Sequence, residues 1–208
     1  MSAILSQNPR FNAGVTSPVA SLVNAVIAMV SAESEWSSRV STEQRRALLH
    51  GLFDNFYTGC DEPVIFDTNR GWSARLATVL DLYPEAKILA CVRNVGWVMD
   101  SLERLYQSNP YENTKLFTSD AERNTVLTRV ETLGQRTRLV GSAWAGLKEA
   151  FYGEHGASMM VIDYDILAQR PVETIGLIYN FLGEDPYPHD FTGLAFSAPD
   201  YDERLGIA

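Results

Sequence analysis

Cysteine is scarce in this sequence: only Cys60 and Cys91 stand among its 208 residues. Two thiols are too few for a disulfide framework or a four-ligand zinc site, and the reading is a reducing, cytoplasmic setting without a metal. Lysine is almost missing too, with three against fourteen arginines. Planar arginine forks suit phosphate and sulfate groups, although coding bias alone produces the same skew. Positive charge as a whole is in deficit. A net charge of -9 argues against nucleic acid or an anionic membrane as the main partner. A long apolar run is also lacking. Pro18 to Val30 is the most apolar stretch, but it is interrupted by Asn24 and too short to cross a bilayer, so it is expected to be a core helix. Met1 to Leu5 carries no basic region, and no signal peptide is expected.

What is present is enough for one domain over residues 1–208. Apolar residues make up 46% of the chain and charged residues 21%, so a core can form without staples. Ser17-Pro18 marks a helix start running to about Ser34, and Ser41-Thr42-Glu43-Gln44 has the spacing of a capping box. That second helix carries Leu48, Leu49, Leu52, Phe53 and Phe56 on one face. Further helices are expected over 72–82, 95–107, and 121–152 with breaks at Gly134 and Gly141; Pro171 opens a last one, capped near Gly183. Between them lie three short apolar runs, Val64–Phe66, Lys87–Val92 and Met159–Ile162. Such runs alternating with helices predict an α/β fold, a parallel sheet flanked by helices. The stretch Ser108–Asp120 reads as a polar loop.

Ligands of open parallel sheets bind beyond the carboxyl ends of the strands. Each run here turns polar at that end: Asp67-Thr68-Asn69-Arg70, Arg93-Asn94 and Asp163-Tyr164-Asp165. These ends are expected to converge on one edge. Arg93 is followed eight residues later by Ser101, two turns into the next helix, where a guanidinium and a hydroxyl can face one phosphate. The alternative is that Arg93 pairs with a carboxylate such as Asp100.

Several patterns occurring in order go further. They are Phe66-Asp67-Thr68-Asn69-Arg70-Gly71-Trp72; Tyr83-Pro84-Glu85-Ala86-Lys87 leading into the strand that ends at Arg93; Ser101; Val161-Ile162-Asp163-Tyr164-Asp165-Ile166-Leu167 with Arg170-Pro171; and Phe181-Leu182-Gly183. Together they resemble the sulfotransferase family, over nearly the whole chain. The resemblance implies a P-loop nucleoside-triphosphate-hydrolase-like fold and transfer of a sulfuryl group from 3′-phosphoadenosine 5′-phosphosulfate (PAPS) to a hydroxyl or amine. It implies that Arg93 and Ser101 bind the 3′-phosphate and that Tyr164 lies near the adenine end. Val95 replaces the proline usual after Arg93-Asn94.

One family element is missing. No loop of the "P-R/K-S-G-S/T-T" kind, which would cradle the 5′-phosphosulfate on backbone N–H groups, occurs in the sequence. Met1 to Phe11 resembles the helix after that loop, so the expectation is a sulfotransferase fold lacking its first strand and P-loop. The chain also stops at Ala208, soon after Arg204-Leu205-Gly206, where relatives carry residues that close over the nucleotide. Because that strand is normally internal to the sheet, its absence leaves an open edge on which a second copy can pair. The implied activity is then impaired in this chain. The alternatives are a non-catalytic module that keeps the 3′-phosphoadenosine subsite, and a nucleotide kinase relative without its Walker loop. No catalytic base stands out. His50, His155 and His189 are poorly placed, and where relatives carry a histidine this chain has Asn69-Arg70. Asp67 is the candidate base and Arg70 the candidate for steadying transferring charge; capping and surface pairing are their alternatives. The acceptor is not legible.

Overall fold

A computed structural model describes residues 1–31, 34–108, 111, 114–192 and 194. The Arg204-Leu205-Gly206 motif and four residues of the Ser108–Asp120 stretch lie outside the described residues. The fold is mixed α/β, with parallel strands paired in open sheets. The chain gathers into two compact units, residues 1–86 joined by 187–194, and residues 87–186.

The first unit begins with a short helix, α1 (Ser2–Leu5), a turn held by Asn8, and a strand β1 (Phe11–Ala13). That strand was not legible, since Asn12 interrupts it and leaves no apolar run of the kind that marks Val64–Phe66. It pairs in parallel with β2 (Val64–Phe66), Ala13 lying opposite Phe66. Between them run α2 (Val19–Val30) and α3 (Thr42–Phe56). The expected capping box is present: Gln44 N–H donates to the Ser41 hydroxyl, and Ser41 N–H to the Gln44 side chain. Helix α2 stops at Val30, short of the expected Ser34, and buries Val19, Ala20 and Val23. A 3-10 turn, Arg70–Arg75, leads into α4 (Leu76–Leu82), so the single helix expected over 72–82 is split. Phe53 joins these pieces, stacked on buried Trp72 and edge-on to Tyr83. The returning segment is fixed to α1 by Gln7, whose amide both donates to the Asp190 carbonyl and accepts its N–H, each at 2.8 Å.

The second unit is built on β3 (Ile88–Val92) and β4 (Met159–Asp163), a parallel pair in which Val92 lies opposite Asp163. The crossover between them carries α5 (Val95–Ser108), α6 (Asp120–Arg123), α7 (Val126–Gly134) and α8 (Leu139–Tyr152); α9 (Tyr164–Gln169) and α10 (Pro171–Leu182) follow β4. Gly134 does end a helix, as expected. Gly141 does not: it lies inside α8, where a Cβ would collide with the Gly134 and Gln135 carbonyl oxygens. Its role is close approach rather than a break. Leu116, Phe117 and Leu133 form a core against Met99, Leu102, Leu105 and Tyr106. Beside it, buried Arg129 lies over the Tyr106 ring and forks onto Glu103, donating from Nε at 2.8 Å and from Nη2. Gly183 caps α10 with φ of 79°, and Lys87 donates to the last carbonyls of that helix, Phe181 and Leu182.

The parallel pairs are not buried on both faces as the apolar runs suggested. Ile65 of β2, Cys91 of β3 and Val161 of β4 are all exposed. Among the described residues each sheet has two strands, so neither has an internal one. No helix among the described residues is long and apolar enough to cross a membrane.

Candidate functional site

In the first unit the strand register places Gly14, just beyond β1, beside Asp67, just beyond β2. The two strand ends are laced together. Thr68 hydroxyl donates to the Gly14 carbonyl, Ser17 N–H donates to the Thr68 carbonyl, and the Asn69 amide donates to the Ser17 carbonyl. Asp67 is the centre of this knot. One carboxylate oxygen accepts from the Ser17 hydroxyl at 2.6 Å and the Tyr57 hydroxyl at 2.8 Å; the other accepts the Trp72 indole N–H at 2.6 Å. Burial, and then the bond to Asp67, push the Tyr57 hydroxyl well above its ordinary value. Asn69 accepts the Gly71 N–H and so caps the following 3-10 turn. Arg70 is exposed at the start of that turn.

The candidate catalytic residues are thus adjacent, but two of the three act on the protein itself. The lone pairs of this carboxylate are committed to three donors of the protein itself. Its geometry is that of a bolt holding the loop after β1 to the end of β2. Ser17, Tyr57 and Trp72 are all donors, but nothing in their spacing along the chain brings them to one carboxylate.

The second unit shows the opposite arrangement. Val92 pairs with Asp163, so the next residues, Arg93 and Tyr164, leave the sheet side by side. The Arg93 guanidinium lies over the Tyr164 ring, 4.6 Å from its centre. Its carboxylate neighbour is Asp165, with Nε 3.8 Å from Oδ1. Asp100, the partner considered from sequence, pairs instead with Arg104 one turn along α5, at 2.9 Å. Arg93 and Asp165 are 39% and 52% exposed, so their contact is loose and wet, of the kind worth about 0–1 kcal/mol. Tyr164 is exposed as well.

Two side chains shape the surroundings. Asn94 accepts the Gly96 N–H through its side chain, while its carbonyl accepts from Trp97 and Val98, which starts α5. Asp163 accepts the N–H groups of Asp165 and Ile166, which starts α9. Ser101 stands exposed on α5. The structure therefore brings Arg93 and Tyr164 into contact; no contact joins Ser101 to either among the described residues. Asp165 was part of a quoted strand end, yet its closeness to Arg93 became visible only with the parallel register. Chemically this is an accessible cation on an aromatic platform at the carboxyl end of a parallel sheet, able to take an anionic group while the ring packs on an apolar or planar one. Compared with protein-family models and with curated proteins, the chain matches none.

Proposed function

We propose that this chain is a sulfotransferase-type nucleotide-binding unit that holds the 3′-phosphate end of a 3′-phosphoadenosine nucleotide between Arg93, Tyr164 and Ser101. One observation carries the reading. The family resemblance assigns Arg93 and Tyr164 to one nucleotide, although they are far apart in sequence, and the guanidinium lies on the tyrosine ring at the strand end where such a ligand binds.

The residues present fit the 3′-phosphate end of PAPS and not its 5′ end. Arg93 supplies charge and two N–H directions, and Tyr164 supplies a planar face. No segment of the sequence resembles the amide cradle that the 5′-phosphosulfate requires. Binding energy at the adenosine end orients the nucleotide but does not stabilise charge on the bridging oxygen, so by itself it does not lower the barrier to transfer. The reading is therefore nucleotide binding first, with sulfuryl transfer dependent on a cradle. Isothermal titration with adenosine 3′,5′-bisphosphate tests it. Weak binding that falls at least tenfold in Arg93→Ala is expected; affinity unchanged by that substitution would overturn the assignment.

A further inference from the structure

The strand end that offers Arg93 also carries two carboxylates. Asp163 is occupied, its Oδ1 accepting two N–H groups at 2.8 and 3.1 Å. Asp165 is not tied in that way: the contact described for its carboxylate is the 3.8 Å approach to Arg93 Nε, and it is half exposed. With one arginine against two aspartates, the local charge is negative, which is unfavourable for a phosphate arriving at the same guanidinium. Asp165 stands beside the guanidinium that an anionic ligand would use.

We infer that Asp165 is a built-in competitor for the Arg93 anion site: its carboxylate occupies the guanidinium in the free protein and is displaced when a phosphate-bearing ligand binds. The inference rests on the nucleotide reading for the identity of that ligand, but the competition itself concerns any phosphate-type anion. The geometry suits an exchange. A 3.8 Å contact between exposed groups is cheap to break, whereas the platform of Tyr164 keeps the guanidinium in place while its partner changes. A dianion with two oxygens for the fork gains more from Arg93, and so displaces the resident carboxylate more fully, than a singly charged or poorly aligned anion. Removing a unit charge about 4 Å from the bound anion, in a solvent-exposed setting, is worth about a five- to tenfold change in affinity.

Titration of the full chain with inorganic pyrophosphate and with adenosine 3′,5′-bisphosphate, for the wild type, Asp165→Asn, Arg93→Ala and the double variant, tests the inference. Asp165→Asn is expected to bind pyrophosphate about five- to tenfold more tightly than the wild type, and that gain is expected to vanish in the Arg93→Ala background. A gain that persists without Arg93 would mean a general charge effect and would overturn the exchange. Pyrophosphate affinity unchanged or lowered in Asp165→Asn, or no binding to either protein, would overturn it too. The nucleotide reading fails by a different result: adenosine 3′,5′-bisphosphate binding no more tightly than pyrophosphate. Asp165→Ala serves as a second variant should the asparagine form its own hydrogen bond to Arg93.

Discussion

The two units solve the same geometric problem with opposite chemistry. In each, a parallel pair of strands delivers two loops to one edge, and in each an ionisable residue stands immediately beyond a strand. At the β1–β2 edge that residue is Asp67, enclosed by three donors within 2.6–2.8 Å. At the β3–β4 edge it is Arg93, held by one ring face and one distant carboxylate. The first has spent its hydrogen-bonding capacity on the fold; the second has kept its own. Position at a strand end does not distinguish a structural polar group from a binding one, but the number of protein partners does.

Removing Asp67 gives the largest expected effect on stability. Asp67→Ala leaves the Ser17, Tyr57 and Trp72 donors without their acceptor and should cost about 3–5 kcal/mol, read by urea unfolding. A loss under about 1 kcal/mol would show that the knot is dispensable and would reopen Asp67 as a catalytic group. Next comes the Arg129–Glu103 pair, whose side chains are 8% and 14% exposed. Arg129→Ala strands a carboxylate and should cost about 3 kcal/mol.

The two regions also differ in their pH limits. The Arg129 bond holds the Glu103 carboxyl below its ordinary value of 4.5. A depressed folded value means that this stabilisation is complete above pH 4.5 and is lost as pH falls through the folded value. Tyr57 runs the other way. Its folded value is raised, so the stability it contributes is complete below its ordinary value of 10.0 and is lost as pH rises beyond it. Glu103→Gln should flatten the acid limb of the stability profile, and Tyr57→Phe the alkaline limb. If both variants kept the wild-type profile, neither linkage would stand. The smallest stability effect is expected for Arg93→Ala, within about 0.5 kcal/mol of wild type by urea unfolding, because its ion pair is exposed. A loss above about 2 kcal/mol would mark Arg93 as another structural bolt.

Local signals carried much of the fold. Ser41 and Gln44 met as a capping box because that bond depends only on spacing along one helix, and Gly183 ended α10 because the left-handed turn there suits glycine. The apolar runs ending at Phe66, Val92 and Ile162 became β2, β3 and β4. Features that depend on contact between distant segments were less legible. Strand β1 is Phe11-Asn12-Ala13, interrupted by a polar residue, and Gly141 lies in the first turn of α8, pressed against carbonyls of the preceding segment. The candidate site divides in the same way. Arg93 and Tyr164 were named from a motif order, but the competition by Asp165 and the enclosure of Asp67 belong to register and packing, which no window along the chain contains.

The central claim is that the β3–β4 edge recognises a 3′-phosphate rather than adenosine alone. The most direct test compares, on the unaltered chain, calorimetric affinities for adenosine 3′,5′-bisphosphate and adenosine 5′-monophosphate. The account predicts that the bisphosphate binds at least tenfold more tightly, with the difference abolished in Arg93→Ala. Equal affinities for the two nucleotides would contradict it.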